Sequence, residues 1–196
     1  MCKRIVFAVI VLLAFTLIGC AKNEEVNITS EIKTARLKNV GVQRDDDTVV
    51  ITVPKDFVNE GMTQDDFNKI AEDKGYTSVI FNNDGSVTYT MSKEQHNEMM
   101  KGLSLNINKT LEEMTQSENY LDIESIIPNE TYTEFEIKIN AEKVEIDDSV
   151  IVVPLYTYGE MYNIFNGTQT PSVKVRFFNS KTGALISEAD SANVGR

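Results

Sequence analysis

Residues 76–116 read YTSVIFNNDGSVTYTMSKEQHNEMMKGLSLNINKTLEEMTQ, and their pattern changes once, at Ser92. Before it, Val79 and Phe81 stand two apart, Asn82-Asn83-Asp84-Gly85 interrupts, and Val87, Tyr89 and Met91 stand two apart again. A period of two on both sides of Asp-Gly predicts a β-hairpin. After it, His96, Met100, Leu103, Ile107, Leu111 and Met114 recur at spacings of four, three, four, four and three, which is one face of an α-helix. Ser92 and Gln95 supply its capping box. A hairpin followed by a helix of about six turns with a single apolar stripe places the chain among α+β folds, because that stripe has to cover a sheet or another helix.

The same order extends in both directions. Upstream, Thr48 to Val53 is a β-branched run closed by Pro54, and a short helix follows. Thr63 is its N-cap, Asp65 and Asp66 lie in its first turn, Phe67, Ile70 and Ala71 make its apolar face, and Gly75 is its stop. Downstream, Tyr120 to Ile127 turns through Pro128-Asn129-Glu130 into a return strand over Thr131 to Ile139, begun by Tyr132 and Thr133. Asp148 to Phe165 starts like a strand, yet Ile151, Leu155, Tyr158, Tyr162 and Phe165 hold helical spacing and Asn166-Gly167 ends it. Pro154 kinks this helix or delays its start, since proline removes a backbone donor and clashes one turn back. A last hairpin pairs Val173, Val175 and Phe177 with Leu185 and its neighbours, and Gly183 suits a left-handed turn position. Residues 63–91, 92–139 and 148–189 thus share an αββ order. The expected fold is an α+β domain with an antiparallel sheet of about six or seven strands and three helices on one face.

Residues 1–19 have a different build. Lys3 and Arg4 precede an unbroken apolar run, Ile5 to Leu17, and small residues follow. That is the plan of an export signal, and the run falls short of the roughly 20 residues an ordinary spanning helix needs. The ending Leu17-Ile18-Gly19-Cys20 resembles the lipobox of bacterial lipoproteins at all four positions. The resemblance implies cleavage between Gly19 and Cys20, a diacylglyceryl group on the Cys20 sulfur, and anchoring at the extracytoplasmic face of the cell membrane. Two acyl chains give stable anchoring where one is marginal. The other cysteine, Cys2, lies in the segment to be removed, so the processed chain has no thiol pair for an internal disulfide. From Ala21 to about Asp47 the chain is polar and charged, without a sustained apolar period, and residues 20–47 read as a flexible tether. Residues 48–196 remain for a single folded domain, long enough to bury a core of its own.

Charge restricts the partners. The chain carries 19 basic and 30 acidic residues; removing residues 1–19 takes Lys3 and Arg4 and no acid, leaving 17 against 30, a formal −13. Nucleic acid depends on Lys and Arg to displace counterions, so none is expected as a partner. An acidic surface is also repelled by anionic headgroups, which leaves the lipid on Cys20 as the contact with the membrane.

Candidate chemistry is sparse. His96 is the only histidine, and with no second one and no cysteine in the processed domain a zinc site would fall back on carboxylates and water, which zinc seldom accepts. Packing on the helix stripe is the expected role for His96. Asp45-Asp46-Asp47 and Asn83-Asp84 lack the alternating ligand order of a calcium loop and read as linker and turn. No G-x-S-x-G turn recommends a serine nucleophile, and acylation of Cys20 would remove a cysteine one. Paired carboxylates of a glycosidase kind are numerically available, but their separation belongs to folded space. Tyr156, Tyr158 and Tyr162 suggest a sugar-binding face, although two of the three lie on the core stripe. No cofactor is expected.

Two further stretches, Ser92-Lys93-Glu94-Gln95-His96-Asn97-Glu98-Met99-Met100 and Tyr158-Gly159-Glu160-Met161-Tyr162-Asn163-Ile164-Phe165-Asn166-Gly167, resemble those of small uncharacterised lipoproteins of Gram-positive bacteria. That resemblance implies no activity and no site residue beyond Cys20. The expected function is a lipid-anchored, non-enzymatic binding or interaction module for an envelope protein, peptide or glycan; the alternative is an envelope hydrolase using paired carboxylates.

Overall fold

The structure is a computed structural model and describes residues 40–117, 120, 122–144, 150–168 and 172–193. The fold is α+β: among the described residues eight strands form two four-stranded sheets, and three α-helices lie between the strands in sequence. The described residues divide into two compact units, one up to Met99 and one from Met100 onward.

The first unit opens with β1 (Gly41–Arg44) and β2 (Thr48–Val53), followed by α1 (Gln64–Lys74), β3 (Ser78–Phe81) and β4 (Val87–Ser92). The strand order is β1-β2-β4-β3, antiparallel throughout. Alternation sets which side is buried: Val49, Ile51 and Val53 of β2, with Val87, Tyr89 and Met91 of β4, turn inward. The residues between them, including Thr48, Val50, Thr52, Thr88 and Thr90, are half-exposed. α1 brings Phe67 and Ile70 into the same core. Its start is the capping box of Thr63 and Asp66, and its stop is Gly75 in the left-handed region at φ 67°. β1 falls inside residues 20–47, so strand pairing begins before the stretch read as tether ends. Nothing in the apolar pattern could announce it: its side chains are mostly exposed and the ladder to β2 holds it through backbone groups.

The helix α2 (Lys93–Thr115) follows β4, and the division between units falls within it. Its capping box is formed: the Ser92 amide donates to Gln95 Oε1 at 2.8 Å and the Gln95 amide to Ser92 Oγ at 3.2 Å. His96, Met100, Leu103, Ile107 and Leu111 are all buried along the stripe.

The second unit adds β5 (Ile123–Pro128), β6 (Glu134–Ile139), α3 (Val152–Phe165), β7 (Lys174–Asn179) and β8 (Leu185–Asp190) in the order β5-β6-β7-β8. Here the wholly antiparallel expectation gives way at one place, because β6 and β7 run parallel. A parallel pair needs a crossover, and α3 is that crossover. Hydrophobic alternation fixes which face of a strand is buried but says nothing about its neighbour, which is why eight strands in two sheets stand where six or seven in one were expected. The αββ order does recur three times along the chain. Its strands are used differently, however: β4, the second strand of its hairpin, pairs with β2, whereas β7, the first of its own, pairs with β6.

Pro154 delays the start of α3 rather than kinking it. The helix begins at Val152, so the proline sits in the first turn, where the missing N–H has no intrahelical partner to lose. The first two residues of the stretch, 148 and 149, lie outside the described residues. Eight α3 side chains or backbones are buried, among them Val152, Leu155, Tyr158, Met161 and Phe165.

Gly159 is the tightest point of this unit. A methyl group there would stand 2.2 Å from the Tyr132 carbonyl oxygen and 2.7 Å from Val173 Cγ2. Alanine is favoured over glycine in a helix by up to about 1 kcal/mol, while forcing extra volume into packed backbone costs about 1–3 kcal/mol or more. The second effect wins. Gly159→Ala should therefore lower the thermal unfolding midpoint, and Gly102→Ala in α2, where nothing lies within 4 Å, should raise it by the equivalent of about 0.5–1 kcal/mol. Calorimetry of both variants checks the opposite signs.

Candidate functional site

The sequence points first to Gly19 and Cys20, which lie outside the described residues. The other candidates are all placed. His96 is buried, with 2 % of its surface exposed, on the inner face of α2. Tyr156 and Tyr158 are buried within α3, and only Tyr162 of the three is half-exposed. Burial, with Asp190 nearby, pushes the Tyr156 phenol up to about 12; burial likewise pushes Tyr158 up, with Tyr120 adding to it. A phenol held neutral in this way is a poor base or nucleophile at ordinary pH.

The acidic candidates serve turns. Asp45 Oδ1 accepts from the Thr48 amide at 2.8 Å, the Thr48 hydroxyl at 2.7 Å and the Asp47 amide at 3.1 Å. Asp84 Oδ1 accepts from the Ser86 hydroxyl at 2.6 Å and the Ser86 amide at 2.9 Å. Hydrogen bonds from the Thr48 hydroxyl and amide hold Asp45 below the ordinary carboxylate range, those from Ser86 do so for Asp84, and those from Thr63 for Asp66. A hydrolytic general acid needs the reverse, a pKa raised toward neutrality. Glu134 and Glu188 do converge, but on Arg176: its Nη2 donates to Glu134 Oε2 and its Nε lies 3.7 Å from Glu188 Oε2. The register explains the meeting, since Arg176 on β7 is directly opposite Glu188 on β8. Among the described residues no three His, Cys, Asp or Glu side chains form a group able to hold a metal ion.

What the sequence missed is the surrounding of Tyr132. Expected to begin a strand, Tyr132 instead lies in the β5–β6 turn in the left-handed region, at φ 55°, a conformation that costs an ordinary side chain roughly 1–2 kcal/mol. The return strand starts only at Glu134. Asn129 shapes this turn, its Oδ1 accepting from the Thr133 amide at 2.9 Å and the Glu134 amide at 3.2 Å. The strained backbone turns the Tyr132 ring inward, where it is almost fully buried. Its hydroxyl lies 2.7 Å from Ser104 Oγ and donates to Asn108 Oδ1 at 3.0 Å, both on α2. Its ring packs at 4.6 Å from that of Tyr162 and 6.3 Å from that of Phe135. Beside it, buried Asn163 donates from Nδ2 to the Thr131 carbonyl at 2.7 Å and the Gly159 carbonyl at 2.9 Å. One turn of chain is thereby tied to two helices. The one visible signal was Gly159, a glycine inside a helical pattern, where it costs about 1 kcal/mol against alanine and so calls for a packing reason.

Fold and site together define a small α+β protein in which the polar network around Tyr132 joins the chain's own elements. Comparison with known proteins adds no relative: no family model, no curated protein and no solved structure matches the chain.

Removing the Tyr132 hydroxyl by Tyr132→Phe should cost about 1–2 kcal/mol, since it strips partners from Ser104 and Asn108 while leaving the ring packed; urea unfolding measures it. The turn carboxylates predict an acid dependence. Their folded pKa values lie below the unfolded ones, so their stabilisation is complete above the ordinary carboxylate range of about 4 and disappears as pH falls through the folded values. A variant with Asp45, Asp66 and Asp84 all changed to Asn should lose stability less steeply between about pH 5 and pH 2 than the unaltered chain. Thermal scans across that range provide the test.

Proposed function

We propose that this chain is an extracytoplasmic lipoprotein, anchored to the cell membrane through lipid on Cys20, whose folded part is a non-enzymatic binding or interaction module. The observation that carries the reading is the sequence Leu17-Ile18-Gly19-Cys20 at the end of a basic-then-apolar leader. Among the described residues no helix is long and apolar enough to cross a membrane, which is compatible with an anchor made of lipid. The non-enzymatic part is supported by the chemistry of the candidates: lowered aspartates engaged in turns and a helix cap, raised tyrosines inside the core, and two glutamates that both approach one arginine. The partner in this reading is an envelope protein, peptide or glycan.

Expression in a Gram-positive host, followed by mass spectrometry of the membrane fraction, tests the anchor. The expected product begins at Cys20 and carries a diacylglyceryl mass on it, and Cys20→Ser should move the protein out of the membrane fraction with its leader uncut. An unmodified Cys20 sulfur in the membrane-bound protein would refute the reading. Incubation with purified wall material tests the other half, where released fragments would favour a hydrolase instead.

A further inference from the structure

Each sheet ends in two edge strands, and an edge strand is a template for another chain. Three of the four carry features that discourage pairing. β1 carries Arg44; β5 has Glu124 and ends in Pro128; β8 has Glu188 and Asp190. β3 has none of these. Its four residues, Ser78-Val79-Ile80-Phe81, are uncharged, and Ile80 and Phe81 are 49 % and 39 % exposed. In a chain of strong net negative charge, this edge lacks the like-charge repulsion that keeps copies apart.

The edge is instead occupied by a side chain. Gln64, the first residue of α1, donates from Nε2 to the Val79 carbonyl at 2.8 Å, and its Oε1 accepts from the Phe81 amide at 2.8 Å. Val79 and Phe81 are the residues whose backbone groups point away from β4. The hairpin closure shows this: the Asn82 amide donates to the Ser86 carbonyl, which makes 82, 80 and 78 the residues bonded across to β4. One amide that donates to residue 79 and accepts from residue 81 reproduces the pair of bonds that one residue of a parallel neighbouring strand would make. The second Nε2 hydrogen goes to Asn68 Oδ1, one helical turn on, at 2.8 Å. That bond fixes the orientation of the amide. α1 and β3 also share the stacked rings of Phe67 and Phe81, 5.6 Å apart.

We infer that Gln64 is a latch that closes the β3 edge against strand pairing by a second copy of this chain. Copies related by a twofold axis would meet with their β3 edges antiparallel, and the backbone groups they need are those Gln64 holds. Asn68 is a positioning residue for the latch.

The full-length chain in mild detergent, unaltered and as Gln64→Ala and Gln64→Ala/Ile80→Lys, tests this by light scattering across a concentration series and by amide exchange. In Gln64→Ala the average mass should climb with concentration while that of the unaltered chain does not, and at low concentration the Phe81 amide should exchange severalfold faster. The double variant, with a charge on the same strand, should return to the mass of the unaltered chain. A Gln64→Ala chain whose mass follows that of the unaltered protein would overturn the inference. So would association that persists in the double variant, because it would place the contact away from β3 or trace it to general unfolding.

Discussion

The second unit depends on the approach of one helix to one carbonyl. Gly159 of α3 lies against the Tyr132 backbone, with no room for even a methyl group between them. Parallel pairing of β6 and β7 requires a crossover that folds back onto its own sheet, and the crossover is α3. Bringing a helix that close demands a residue without a side chain at the contact. It also demands that the polar groups trapped there be satisfied. Asn163 meets that demand by donating to both the Thr131 and Gly159 carbonyls, and the Tyr132 hydroxyl by reaching Ser104 and Asn108. The strain of a left-handed tyrosine persists because these contacts over-determine it.

Strain of this kind collects at functional sites in many proteins, and here it serves the architecture. The groups around Tyr132 are amides, hydroxyls and phenols that bond to one another and to backbone. None is a carboxylate or imidazole placed to move a proton. Asp45 and Asp84 act at chain reversals, where one carboxylate oxygen accepts from two or three nearby donors and fixes a turn, and Asp66 does the same at the start of α1. Part of the acidity in this chain thus serves local turn and cap formation.

The first unit illustrates a different constraint, the accounting of backbone donors and acceptors at sheet margins. Where the sequence places charge or proline at an edge, solvent satisfies the backbone and repulsion or geometry discourages a neighbour. β3 carries neither, and its Phe81 stacks on Phe67 of α1. The helix that covers the strand supplies the missing amide from its first residue. For a protein proposed to be crowded at a membrane surface by a lipid anchor, an edge closed in this way bears directly on whether copies remain separate.

Much of the local structure was legible in the residues alone. The capping box at Ser92, the stop at Gly75, the Asp-Gly hairpin and the buried stripe from His96 to Leu111 all follow from interactions between residues a few positions apart, which a linear pattern records. The α+β class follows from them. Tyr132 and β1 were not legible, for the opposite reason. The left-handed tyrosine exists only because α2 and α3 meet the turn from far along the chain, and β1 exists only because β2 offers it a ladder. Whether β7 would pair with β6, and whether Gln64 would reach β3, were likewise decided by tertiary structure, since backbone hydrogen bonds are the same for every residue and carry no trace in the sequence of the strand they will join.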